Sequence, residues 1–599
     1  MKAGLLSDIA YTEGYVDGAP ENYEGDILGY GSRNLFYWGD HRLRAVRGFP
    51  AVSGSGARRM YSFGAGLAGL IGASAEGSIY AGNSLSAFYI GSSTDITITG
   101  SAITAAASTT LSFRLFSGGV YTGTTYTSGL AAPSAPTLYV KTGGVTGLLK
   151  GAISIKVSAV RNSTGAEGNA SDSSNVITFN SEQGVLQFNS STSNGSDRWR
   201  IYVTPSGFGS TGPDYLWKEI AEADLTTIDG HTRSYQVNFA DADLRAILAP
   251  IDFNVPSVGV WAFQLESCHA VVGAYGDSSS GVSVTSPGNA IAVSRVNRPE
   301  AFPADFLLWL PAAPTGIMQR ASDAFTYIFG KSYLGVCSFT GATPPMAYRT
   351  LWAGTGFAAP HNVTIAAGGE LYGFSSQRGP IRITSDGETD TVFASKVVKI
   401  IEGWTPANVV MGWDSDHTTV AFMHGSIILP FNTVLEKWGA PIDISGSPMS
   451  LVGSITSAAT NGSSLAFSAN NAGTFTAYAF NTGTTGSIWE AYSGWRSGGA
   501  PEDLKTVLTL QSSFRHDDAT TNPVITTKIY TNYSTASPKK TISTTVTATG
   551  PQHMKPAKLN VRNCKSVLLY KSGRSLAAGV GDSGPIRDRL SGTVNQVRK

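Results

Sequence analysis

DAFTYIFGKSYLGVCSF, residues 323–339, is the stretch on which the fold turns. Apolar residues alternate through Phe325, Tyr327 and Phe329, a Gly-Lys-Ser turn interrupts them, and a second apolar run follows. That is the pattern of strand, tight turn and strand. It predicts Phe325, Tyr327 and Phe329 opposite Tyr333 and Val336 as cross-strand neighbours on one sheet face, packed between sheets rather than offered to a ligand. The same form returns at AGGELYGFSSQRGPIRIT (367–384), DHTTVAFMHGSIILPF (416–431) and NGSSLAFSANNAGTFTAYAF (461–480), with starts 44, 49 and 45 residues apart. Two earlier hairpins, SRNLFYWGDHRLRAV (32–46) and AEGSIYAGNSLSAFYIG (75–91), start 43 residues apart. A period of about 40 to 50 residues with room for four strands per unit is that of a β-propeller, whose radial sheets bury both faces against their neighbours.

The two groups of hairpins are separated by a stretch of different texture. It opens with Pro-Ser-Ala-Pro, carries short strands such as AISIKVSAVR (152–161) and RWRIYVT (198–204), and includes one tryptophan expected to be buried. Such a run resembles a fibronectin type III module, a β-sandwich inserted into the propeller. The best helical periodicity in the chain, at Glu219–Leu225 and Asp241–Leu248, falls at its exit. The expected organisation is all-β: an acidic N-terminal segment (1–30), first propeller blades (31–130), the inserted fibronectin type III-like domain (131–250), the remaining blades (251–500) and a basic C-terminal β region (501–599). Within the blades, PFNTVLEKWGAP (430–441) resembles the strand and Trp turn of kelch-type propellers, which implies that Trp438 covers the hub of its blade.

Composition narrows the function. Of 599 residues only 14% are charged, 69 are glycine and 10% are aromatic, which excludes a coiled coil or an acidic disordered chain. The net charge of +1 gives no global field for nucleic acid or an anionic membrane. Charge is uneven at the ends: Met1–Ile27 carries six acids and one base, and His553–Lys599 carries ten bases and two acids. Lys555, Lys558, Arg562 and Lys565 are therefore candidate partner contacts, with the acidic start of a neighbouring copy as one candidate partner. The three cysteines, Cys268, Cys337 and Cys564, lie too far apart in sequence to read as a disulfide framework or a four-cysteine metal site, so a reducing compartment is expected. A signal peptide and a membrane-spanning segment are not expected.

Chemical motifs do not assemble into a catalytic set. GDSGP (581–585) has the letters of a chymotrypsin-like nucleophile region, with Ser583 in the nucleophile's place. It lacks the second glycine and the following strands that would build a specificity pocket. Gly330-Lys331-Ser332 ends like a phosphate-binding loop but sits inside a strand pair, and Gly64–Gly69 matches GxGxxG in letters alone. His417 and His424 flank one strand near Asp414 and Asp416 and read as turn and surface residues rather than a metal site. Ser385–Thr389 faintly resembles an Asp-box turn of sialidase propellers without its tryptophan. No cofactor, metal or catalytic residue is expected.

Four segments taken together resemble a known family: NLFYWGDHRLRAVRGFP (34–50), AVSRVNRPEAF (292–302), DAFTYIFGKSYLGVCSFTG (323–341) and GELYGFSSQRGPIRITSDG (369–387). They are similar to the tail nozzle protein, or tail tubular protein B, of short-tailed bacteriophages, over roughly 30–130 and 250–450. The resemblance implies a non-enzymatic virion protein, assembled in the host cytoplasm, that forms a homohexameric tube below portal and adaptor proteins. Tail fibres or spikes are further possible neighbours, and genomic DNA passes through without sequence recognition. A near-neutral chain suits such a passage, because clustered positive charge would hold phosphates. Two other functions stand beside it: a carbohydrate-binding receptor-recognition protein, and a propeller glycosidase.

Overall fold

A computed structural model describes most of residues 129–254, 261–319, 325–493, 504–545 and 550–574 apart from short breaks, and chiefly strands over 4–127 and 583–595. The regular structure of the described residues is almost all antiparallel strand. Three sheets are four-stranded meanders in sequence order, running through Trp261–Leu265 to Leu307–Trp309, Gly316–Gln319 to Met346–Ala353, and Val363–Ile365 to Thr389–Asp390; a fourth meander, Val410–Asp414 to Lys437–Trp438, carries Ile442–Asp443 as a fifth strand. A three-stranded meander follows, Ser454–Asn461 to Thr474–Ala479. The four hairpins read from the sequence are the second and third strands of their sheets.

Each blade buries both faces, and alternation along the strand decides which neighbour receives which residue. Tyr327, Phe329 and Leu334 pack against Phe357, Leu371, Ile381 and Ile383 of the next blade. Ile328, Tyr333 and Cys337, on the opposite face, pack against Trp261, Phe263, Val272 and Ile291 of the preceding one. Tyr333 therefore does not share a face with Phe325, Tyr327 and Phe329 as the sequence pattern suggests. The two-residue turn sets it opposite Gly330, while Tyr327 pairs with Val336 and Phe329 with Leu334. Gly330 has no freedom to change, because a Cβ there would lie 2.3 Å from the Tyr333 ring.

The pattern continues around the propeller. Tyr372 and Phe374 meet Met411, Val420, Phe422 and Phe431, and Ala421, Met423 and Ile428 meet Ile455, Leu465 and Phe467. Trp438 is fully buried between Phe422 and Phe431, with ring centroids at 5.2 and 4.9 Å. Two further sheets come from residues 59–127. Strand Arg59–Phe63 of one runs beside Ser454–Asn461, and strands Ile79–Ala81 and Ala87–Ile90 of the other run beside Trp261–Leu265. This chain segment thus lies between the last and the first of the blades that follow the insertion.

The insertion is a two-layer sandwich. Thr137–Val140, Gly184–Gln187, His231–Val237 and Thr226–Ile228 form one sheet; Ala166–Glu167, Ile155–Arg161, Arg198–Val203 and Tyr215–Ala221 form the other. Trp199, Phe179, Leu186, Ile201 and Val237 fill the space between them. The two expected helices are absent. Glu219 lies in strand Tyr215–Ala221, paired with Arg198–Val203, and only the short 3-10 turns Glu222–Asp224 and Asp241–Asp243 remain. Ladder pairing and cross-strand bonds from Arg198 and Arg200 to Glu219 override a weak local helical period.

The hairpin at Ser32 forms as a two-stranded sheet, Leu35–Tyr37 against Leu43–Ala45, and acts as a seam. Its backbone bonds to both sides: Arg33 exchanges N–H and C=O with Glu490, Asn34 N–H donates to Pro441 O at 2.9 Å, and Ala440 N–H donates to Leu35 O. Beyond the seam, Ile488–Tyr492 joins Val567–Arg574, Val524–Thr531 and Lys540–Thr545 in one sheet, and Leu504–His516 joins Ser583–Asn595 in another. Trp489, Ile525 and Leu569 of the first meet Val507, Leu510 and Val561 of the second in the same core that holds Leu35 and Trp438. The N-terminal strand Gly4–Ile9 completes the second sheet, with Asp8 in register with Arg589.

Trp438→Ala removes a fully buried indole from the core shared by the propeller, the seam and the terminal sheets. It is expected to cost about 3–5 kcal/mol, read as a lower urea midpoint by tryptophan-independent circular dichroism.

Candidate functional site

The densest group of buried charge lies where the sandwich meets the first blade. Arg161 ends sandwich strand Ile155–Arg161, and Glu300 sits in the connection between blade strands Ala290–Val293 and Leu307–Trp309. Their side chains are 0% and 3% exposed, and Arg161 Nη1 donates to both carboxylate oxygens of Glu300, at 3.0 and 2.9 Å. Gly129 N–H, on the chain entering the sandwich, donates to Glu300 Oε2 at 2.7 Å. The chain leaving it is fixed as well: Asn169 bonds Phe253 N–H and Asn254, Ala170 N–H donates to Pro250 O, and Phe302 N–H donates to Asn254 O.

A second buried carboxylate lies beside the first pair. Glu167 accepts from Ser158 Oγ at 2.7 Å, from the Tyr202 hydroxyl and from Arg200, and more distantly from Arg298 of the blade at 3.5 Å. Burial, reinforced by Glu167, pushes the Tyr202 phenol well above its ordinary range, so it stays a donor. Burial alone would raise the Glu219 carboxyl; hydrogen bonds from Arg200 and Arg198 outweigh it and hold the pKa below 4.5.

Arg295 and Arg298 face a cleft of about 300 Å³ lined also by Phe253, Val296, Phe306, Ala342, Thr343 and Pro345. A tight turn presents them side by side. Arg298 N–H donates back to Arg295 O, and Asn297 adopts a φ of 56°, which asparagine tolerates better than most residues. The Arg295 guanidinium lies 5.8 Å from the Phe253 ring and 5.7 Å from Phe306, and that of Arg298 lies 5.3 Å from Phe253. Arg295 also pairs with Asp252.

Of the residues singled out from the sequence, Lys555 and Lys565 lie outside the described residues, and Lys558 and Arg562 fall on strand Ala557–Cys564, beside Leu504–His516. Lys331 and Ser332 form an exposed hairpin turn. Gly66 and Gly69 lie in a strand, Ser583 begins the last strand, and Ser385–Glu388 lie outside the described residues. His417 and His424 are held apart in separate environments. His417 Nδ1 meets Asp414 at 2.8 Å and its Nε2 meets Asn481 at 3.2 Å, whereas His424 stacks on Trp404 and receives Thr405 N–H. Among the described residues no group of three or more His, Cys, Asp or Glu is placed to hold a metal ion. The three cysteines are free and buried, and burial pushes the Cys337 thiol up to about 12.

Sequence reasoning did not single out Arg161, Glu167, Arg295, Arg298 or Glu300. The available signal was RVNRPE, three charges in six residues of a chain that is only 14% charged.

No known family's model matches the chain, and neither does any curated protein. Among solved structures, the β-propeller domain of Cps50 (Swd1) from Myceliophteria thermophila covers 57% of this chain and 98% of its own, at 9% identity and a TM-score of 0.24. A likeness at that score adds nothing to the reading of the site.

Glu300→Ala leaves Arg161 buried without its counter-charge and is expected to cost about 3–5 kcal/mol. Arg161→Met combined with Glu300→Leu is expected to recover most of it. Thermal unfolding, with tryptic cleavage near residue 250 as the local readout, checks both. Glu219 supplies a pH dependence: its folded pKa is depressed, so its contribution is complete above 4.5 and lost as pH falls through the folded value. The urea midpoint of the native chain should therefore fall more steeply from about pH 5 to about pH 3 than that of Glu219→Gln.

Proposed function

We propose that the chain is a structural virion protein, the nozzle of a short bacteriophage tail, acting as a homohexameric conduit for the genome and attached to portal and adaptor proteins. One observation carries the reading: the four segments that resemble that family lie at the joints of the fold. Asn34–Pro50 holds the seam strand, Ala292–Phe302 holds Arg295, Arg298 and Glu300, and the other two form the central hairpins of consecutive blades. What the resemblance covers is a frame that sets domain positions, which suits a conduit more than a catalyst. A ring of six copies would use head-to-tail contacts that close by rotation, in a virion assembled in the host cytoplasm. The basic C-terminal region, with Lys555, Lys558, Arg562 and Lys565, is the proposed contact surface. The acidic start of a neighbouring copy, Met1–Ile27, is one candidate partner for it.

Light scattering and negative-stain imaging, alone and with a portal-adaptor complex, test the reading. A closed ring, or assembly only on the adaptor, supports it; a stable monomer indifferent to the adaptor overturns it. Charge reversal at Lys555, Lys558, Arg562 and Lys565 is expected to weaken assembly and flatten its salt dependence, and unchanged assembly would remove that surface from the proposal.

A further inference from the structure

We propose that the Arg295/Arg298 cleft is a binding site for a sugar unit that bears a carboxylate. Its size is the first argument. About 300 Å³ is at the low end of small-molecule pockets and suits one pyranose with a substituent rather than an extended peptide strand.

Donor chemistry is the second argument. A guanidinium offers five N–H groups in a planar fork that matches a carboxylate. Arg295 spends Nη2 on Asp252, while its Nε–H is buried with no acceptor among the described residues. Arg298 spends Nη1 on Glu167 at the long distance of 3.5 Å. The side chains of Arg295 and Arg298 are 38% and 37% exposed, so it is their remaining accessible N–H groups that an entering oxyanion would meet. The two guanidinium groups are held by aromatic contacts with Phe253 and Phe306 and by the tight turn between them, so little ordering remains to be done on binding.

The other walls supply the third argument. Val296, Ala342 and Pro345 offer C–H surface and Thr343 a hydroxyl, a mixture suited to the apolar face and hydroxyl edge of a sugar. Asp252 pairs with Arg295, whereas Glu167 is shared between Arg200 and, at 3.5 Å, Arg298, so the Arg298 charge is only partly met within the chain. Affinity is expected to be modest, with a dissociation constant on the order of 1 mM. This site stands apart from the nozzle reading and would add recognition of an acidic glycan to it.

The test is titration of the full chain with D-glucuronate and N-acetylneuraminate, against D-glucose, N-acetylglucosamine and inorganic phosphate, followed by saturation-transfer NMR. The expected result is binding of an acidic sugar at least about tenfold tighter than its neutral counterpart. Val296→Trp fills the cleft from an exposed position and should abolish binding with thermal unfolding unchanged; Arg295→Lys, which keeps the charge but loses the fork, should weaken it about tenfold. No saturable response, equal binding of neutral sugars, phosphate bound as tightly as the uronate, or indifference to Val296→Trp would each overturn the proposal. Ring assembly is unaffected by any of these outcomes, so failure here is distinguishable from failure of the nozzle reading.

Discussion

A β-sheet that is apolar on both faces cannot be satisfied by one partner, and the architecture follows from that constraint. In the blade centred on Phe325–Phe339, successive residues send side chains to opposite neighbours: Ile328 and Tyr333 toward the preceding blade, Tyr327 and Phe329 toward the following one. Each blade therefore needs two others, and a row of such blades leaves two unsatisfied ends unless it curves into a ring. The sheets from residues 59–127, lying beside Ser454–Asn461 on one side and Trp261–Leu265 on the other, occupy the place that this requirement creates.

The sandwich is attached by a different kind of force. Its own core is packed internally around Trp199, Phe179 and Ile201, and the contacts described at its junction with the propeller are polar. The joint is built from Arg161–Glu300, Glu167–Arg298 and the backbone bonds of the entering and leaving chain. A buried ion pair contributes little net stability compared with apolar packing, but it accepts only narrow geometry. At this joint it sets direction: hydrophobic burial holds each module together, and paired charge fixes how one module stands on the other.

This division explains what was legible in the sequence. The hairpins at 323, 367, 416 and 461 could be read because period-two alternation and turn residues are local signals, whereas the structural role of Trp438, which is buried, came from the likeness of its segment to a kelch-type Trp turn. The expectation that put Tyr333 and Val336 on one face fails for Tyr333 because residues three apart on a strand point to opposite faces; Val336 pairs with Tyr327, and Tyr333 pairs with Gly330 on the other face. The helices expected near Glu219 and Asp241 failed because the local period was overruled by partners on another strand. The pairing of Arg161 with Glu300 was out of reach: the two are 139 residues apart, and the charge density of RVNRPE names no partner for Glu300.

The placement of the family-like segments bears on what sort of molecule this is. Leu35 and Tyr372 share one core, Tyr327 lies in another, and Glu300 lies at the joint with the sandwich. Their common property is that each fixes the position of one module relative to another. On the proposed nozzle reading that rigidity would matter, since a passage is defined by the relative placement of its walls. The chemistry-bearing cleft of Arg295 and Arg298 is built on the same joint, and this gives it a fixed geometry: its two arginines are held by the turn that also carries Glu300, so whatever enters the cleft meets a surface already positioned by the contact between sandwich and propeller.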